Sequence, residues 1–173
     1  MIFLIIVILY VFIVFVLSRL FIPHLGFSKD KLPAPIPVNW EKAINDLKNQ
    51  SRSKDDFLQL AYDYIGRKYS YSGVPFFRRF NIFIHWPSLF YDLNDLYNAS
   101  GFMHCTQLNF LMRLFLVKSD FFPEEEMRLR HTFVNFFIHQ YLEVKLDDKW
   151  VAVDVFEYSD GLKIGQHLKA FSL

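Results

Sequence analysis

The residues in this chain that could do covalent chemistry come in the order Cys105, His139, Asp154. Acyl transfer by a thiol needs a thiolate, an imidazole partner, and a carboxylate or amide that orients the imidazole. A free cysteine, with a pKa near ~8.5, is only a few per cent thiolate at about pH 7. A helix N-terminus and a nearby histidinium both favour the charged form. Cys105 is the only cysteine, so the chain has no internal disulfide and no framework of several thiolates to hold a metal. The competing reading of Cys105 is a small residue of the core. Two histidines compete as its partner, because His131 and His139 both lie on strand-like runs, and the residue pattern leaves that choice open. His104 is adjacent to Cys105, but neighbours on a helix do not face each other. His104 therefore reads as a surface or helix-terminus group. Asp154 interrupts the apolar run WVAVDVF, where a buried carboxylate must find a partner. Asp147, Asp148 and Asp160 fall in turns, which is sufficient reason for them. Glu143 lies on the His139 face as an ion-pair candidate.

The elements that must position these groups follow from periodicity. After Cys105, the apolar residues Leu108, Leu111, Met112, Phe115 and Leu116 fall at helical spacing. They predict a helix ending near Lys118, with Cys105 in its first turn and on its buried stripe. Residues 127–135 alternate as a strand. Residues 139–146 also alternate, with Gln140, Leu142, Val144 and Leu146 on one face and His139, Tyr141, Glu143 and Lys145 on the other. Asp147 and Asp148 supply a turn, and Trp150–Phe156 form a third strand with Asp154 inside it. Strands in a sheet are ~4.8 Å apart, so an aspartate on one can reach a histidine on the next. Upstream, Asn39 caps a helix carrying Trp40, Ala43, Ile44 and Leu47. Ser53 caps a second, with Asp56 completing a variant capping box. Its stripe is Phe57, Leu60, Ala61, Tyr64 and Ile65, and Gly66 is its stop. Residues 69–75 read as a loop and 76–85 have no clear period. Pro87 opens a third helix facing inward through Leu89, Leu93, Leu96 and Tyr97. Helices first and an antiparallel sheet afterwards make an α+β domain.

The N-terminal run IFLIIVILYVFIVFVL, residues 2–17, has no charge and no breaker. It would rise roughly 24 Å as a helix, and Leu20, Phe21 and Ile22 extend it toward a ~30 Å hydrocarbon core if Arg19 snorkels. Pro23 ends it. The run lacks the basic start and small-residue cleavage site of a signal peptide. Residues 1–22 are therefore expected to be a transmembrane anchor, 23–37 a proline-rich linker, and 38–173 the folded domain. The anchor makes the membrane a partner and the protein single-pass. Arg19, Lys29 and Lys31 after the segment lean the domain to the cytoplasmic side. With 19 basic and 18 acidic residues, no field of one sign points to nucleic acid.

The run HQYLEVKLDDKWVAVD resembles the His–Asp hairpin of the transglutaminase-like superfamily, through His139, Tyr141, Glu143, Val144, Trp150 and Asp154. HCTQLNFLMRLFL is similar to that family's cysteine helix, with Cys105 at its start and Arg113 in the usual basic place. DDFLQLAYDYIGRKYSYS resembles the helix before the family's core. Tyr141 stands where the family usually has Trp, Val155 where Pro is common, and His104 where a small or polar residue is often seen. The resemblance spans roughly residues 38–160 and implies a papain-like α+β fold with Cys105 as nucleophile, His139 as its acid–base partner and Asp154 as the orienting group. It implies thiol-mediated transfer or hydrolysis at amide bonds of a protein or peptide, as in a cysteine protease or acyltransferase, without metal or cofactor. The Cys105 N–H and a side-chain donor from Trp86, Tyr97 or Asn98 would hold the oxyanion. The alternatives are an inactive family member that binds a peptide or scaffolds a complex at the membrane, and a structural membrane protein with Cys105 in its core.

Overall fold

The computed structural model describes residues 2–13, 17, 31–69, 85–134 and 137–169. Helix α1 spans Ile2–Phe12, α2 Val38–Gln50 and α3 Lys54–Lys68. A 3₁₀ turn over Trp86–Phe90 leads to the short α4, Leu93–Asn98. Helix α5 spans Cys105–Lys118. A three-stranded antiparallel sheet follows, with β1 at Met127–Val134, β2 at Phe137–Leu146 and β3 at Lys149–Val153, in the order β1-β2-β3. 3₁₀ turns over Val155–Asp160 come next. The chain is thus α+β, helices first.

The apolar N-terminal run does not make the expected span. Helix α1 has 11 residues, a rise of about 16 Å, roughly half of a hydrocarbon core. No helix among the described residues is long and apolar enough to cross a membrane. The transmembrane anchor, the membrane partnership and the single-pass localisation are overturned with it. Arg19, Pro23 and Lys29, on which the span's end and orientation turned, lie outside the described residues. So do most of the 69–75 loop and all but His85 of the 76–85 run.

Helix α5 is the centre of the domain. Every residue from Cys105 to Leu116 is buried, where the apolar spacing predicts only one stripe. The other faces are covered because α2, α3, β2 and the 155–160 turns all pack on this one helix. Three of its polar residues are matched in turn, whereas the buried Thr106 Oγ1 has no hydrogen-bond partner among the described residues. Asn109 Nδ2 donates to the Gln140 carbonyl at 3.0 Å, Arg113 pairs with Glu124 at 2.5 Å, and Gln107 Nε2 donates to the Ser88 carbonyl.

The flanking helices differ from expectation in instructive ways. Helix α2 begins at Val38, one residue before the proposed Asn39 cap, and has no side-chain cap. Helix α3 is capped as the sequence implies: Asp56 N–H donates to Ser53 Oγ at 3.1 Å. Asp56 Oδ2 in turn accepts from the Arg52 N–H at 2.9 Å. Its buried face is Phe57, Leu58, Ala61, Tyr62, Ile65 and Gly66, turned from the predicted stripe, so that Leu60 and Tyr64 are only half-buried. Gly66 does not stop the helix. A Cβ there would lie 2.3 Å from the Tyr158 ring, so this glycine lets the 155–160 turns close on α3. Pro87 opens a 3₁₀ turn instead of a long helix. Asp92, accepting from Asn94 N and Asp95 N at 2.7 and 2.8 Å, restarts the chain as α4.

Candidate active site

The site is built where the start of α5 meets the β2–β3 hairpin. Asp147 and Asp148 adopt φ of +46° and +65°, a two-residue turn of the primed kind that matches strand twist. That turn pairs Leu146 with Lys149 and sets the register to its last pair, Leu142 with Val153. Directly paired residues share a face, as do residues two apart on a strand. Asp154, one residue beyond Val153, therefore emerges on the face of Tyr141 and His139. It is not inside the strand as the apolar run implies: β3 ends at Val153 and Asp154 begins the 155–160 turns. Ending the strand there frees its carboxylate. It also leaves residues 139–141 of β2 without a β3 partner, and Asn109 of α5 reaches the Gln140 carbonyl in that gap.

His139 Nε2 lies 2.8 Å from Asp154 Oδ2, and each side chain is 1% exposed. The same carboxylate oxygen accepts the Leu168 N–H at 2.9 Å. Tyr62 donates to the Asp154 carbonyl at 3.3 Å and to Leu162 at 2.7 Å. With Nε2 committed to Asp154, Nδ1 is the ring nitrogen left for Cys105, whose proximity helps to raise the His139 pKa. The electrostatics are decided by competition. Complete burial pushes His139 down, but the Asp154 carboxylate and then Cys105 outweigh it and raise His139 to about 10. The imidazole is therefore held as imidazolium at neutral pH. Burial, followed by the negative charge of Asp154, holds the Tyr62 phenol well above its ordinary value.

Cys105 is the first residue of α5, following the N-cap His104. The first N–H groups of a helix have no acceptor within it, so this end presents donors and positive dipole to whatever the thiol meets. His104 is at the helix terminus as expected, but it is 2% exposed and not on the surface. Burial drives its pKa down to about 4, so it is neutral, and its Nε2–H donates to the His85 carbonyl at 3.1 Å. His131 does not compete with His139. It pairs across the sheet with Gln140 and its Nε2 lies 3.1 Å from Gln140 Nε2, on the opposite face from His139. Glu143 pairs with Arg128 at 2.8 Å.

The chain matches no family model, no curated protein and no solved structure.

Of the three proposed oxyanion donors, Tyr97 is committed to the Trp40 ring, 5.1 Å away. Trp40 itself meets Phe115 edge-to-face, far along α5 from Cys105. Asn98 is exposed at the end of α4. Only Trp86 lies on a segment tied to the start of α5. Sequence reasoning missed two further parts. The 162–168 segment closes over the hairpin: Gly165 N–H donates to Ala152 O at 2.8 Å, and the His167 ring stacks on Tyr141 at 4.4 Å. Its irregular backbone has no period to read, and its contact with Asp154 is through a main-chain N–H that any residue but proline offers. Phe156, 5.4 Å from the His139 ring, is the other. Its place on an apolar run made it look like ordinary core.

Proposed function

We propose that this protein is a cysteine enzyme that acts by thiol-mediated acyl transfer or hydrolysis at an amide bond of a protein or peptide, with Cys105, His139 and Asp154 as its triad. The observation that carries the reading is the buried His139–Asp154 pair beside a thiol at a helix start. A core cysteine has no use for a buried ion pair beside it, and a buried pair is costly to retain for stability alone. The resemblance of this hairpin and helix to the transglutaminase-like superfamily supports the same assignment.

In the proposed reaction, Cys105 Sγ, its proton resident on His139, attacks the amide carbonyl carbon and the carbonyl electrons move to oxygen. The N–H groups at the start of α5 receive that oxyanion. As the C–N bond breaks, the imidazolium gives its proton to the departing amine, leaving a thioester. Water or a second amine then attacks the thioester, losing its proton to His139, and Cys105 leaves as thiolate. Asp154 holds the ring by Nε2 throughout. No step requires a metal or a cofactor.

The test is the pH dependence of Cys105 alkylation by iodoacetamide in the folded protein, followed by mass spectrometry. Reaction well below pH 8 that slows at least about tenfold in His139→Ala supports the triad. A thiol that reacts only on denaturation, or with the same profile in both proteins, overturns it.

A further inference from the structure

The Cys105 end of α5 carries an exposed aromatic pair. Trp86 is 58% and Phe90 76% exposed, with ring centroids 5.9 Å apart at 90°. Large rings left in water on a rigid turn mark contact surfaces. This turn is fixed to the nucleophile's helix on both sides of Cys105. His104, before it, holds the His85 carbonyl at 3.1 Å, and Gln107, after it, holds the Ser88 carbonyl. The turn is also joined to the histidine by rings. His85 lies 5.4 Å from Phe102, Phe102 5.9 Å from Phe156, and Phe156 5.4 Å from His139. Leu89, on the same turn, packs against Phe102. Residues 85–91 and 99–112 contain no Asp, Glu, Lys or Arg, and His104 is neutral. These two segments offer an ionic side chain no counter-charge, and offer a ring or a large aliphatic group the exposed rings of Trp86 and Phe90.

We propose that Trp86 and Phe90 form the recognition subsite of this centre, taking an uncharged aromatic or large aliphatic side chain of a peptide next to the amide presented to Cys105. The assignment rests on the Cys105–His139–Asp154 reading for its chemistry, and on the turn's two hydrogen bonds and the lack of charged residues in 85–91 and 99–112 for its place. It selects substrates by burying an apolar ring between two others, which aromatic edge-to-face geometry favours.

Two chloroacetamides of matched electrophile, 2-chloro-N-benzylacetamide and 2-chloro-N-methylacetamide, test it on the full chain. The benzyl reagent is expected to label Cys105 about tenfold faster. The ratio should fall toward one in Trp86→Ala/Phe90→Ala and survive in Phe90→Leu. A ratio near one in the unaltered protein overturns the subsite, while the His139 dependence of the methyl reagent reports separately on the triad. Binding is read without chemistry in Cys105→Ser, by titrating N-acetylphenylalaninamide against N-acetylglycinamide and following the Trp86 indole N–H by NMR, assigned with Trp86→Phe. A saturable shift with the first compound alone supports the subsite even where Cys105 is inert. Equal or absent responses overturn it.

Discussion

The proton on His139 is set by one neighbour more than any other. Burial alone would strip it, and the carboxylate of Asp154, 2.8 Å away, reverses the sign. Asp154→Asn removes the charge and keeps the shape. The His139 pKa is then expected to fall well below about 10, because only Cys105 is left to oppose desolvation. The ring carbon–hydrogen shifts in NMR, followed from about pH 5 to 11, read it directly; an unmoved titration would refute the dominance of Asp154. Stability follows with a definite sign. The folded pKa lies above the unfolded one, so the pair's contribution is complete below about pH 6.5 and is lost as pH rises through about 10. Urea unfolding of the unaltered protein should weaken across that window, and Asp154→Asn should not show the same loss. The choice of His139 over His131 belongs to this scale as well. Both sit on alternating strands, and no residue-level pattern separates them. Gln140 opposite His131, and Asp154 emerging beside Tyr141, do so only once the register is known.

Among the elements, α3 shows how a residue can be read rightly for its freedom and wrongly for its use. Gly66 marks a helix end in sequence because glycine so often does. In the fold it lies within the helix, under the Tyr158 ring, whose atoms stand 2.3 Å from where a Cβ would be. Gly66→Ala gains about 1 kcal/mol of helix propensity and forces the ring off the helix, an overpacking cost of about 1–3 kcal/mol. The ring belongs to the turns that begin at Asp154, so the strain is transmitted to the site. A net loss of up to about 2 kcal/mol is expected in chemical denaturation, with recovery in Gly66→Ala/Tyr158→Leu. An alanine variant as stable as the parent would mean that the ring yields freely. Of the elements defined by period, α5 and the turn at Asp147 and Asp148 are legible in sequence nearly to the residue, whereas β2 begins earlier, at Phe137, and β3 stops at Val153 and not at Phe156. The rotated face of α3 and the 162–168 segment are not legible, because each is settled by a contact from a distant part of the chain, Tyr158 for the first and the Asp154 carboxylate for the second.

At the scale of the whole molecule, the site needs both halves of the chain. The thiol comes from the helical half and its partners from the sheet, and the two meet along α5, where Asn109 crosses to Gln140. Helix α1 stands apart from this economy. It is the most apolar segment, yet none of its residues is buried, and its side chains from Ile2 to Phe12 are 40–79% exposed. Apolar area that stays in water contributes nothing to folding by burial. Removing residues 2–12 is therefore expected to leave the melting temperature of the domain and the His139 titration unchanged. Calorimetry and the same NMR titration on the shortened chain check both. A drop of several degrees, corresponding to about 1 kcal/mol in a chain of this size, would show that α1 packs on the domain in solution. The prediction also separates two uses of apolar sequence that composition cannot tell apart. Leu108, Leu111, Met112 and Phe115 are apolar because they fill the interior around Cys105, and their truncation should unfold the domain. The α1 run has the same residue types and no interior to fill, so its apolar character must serve something other than the stability of this fold.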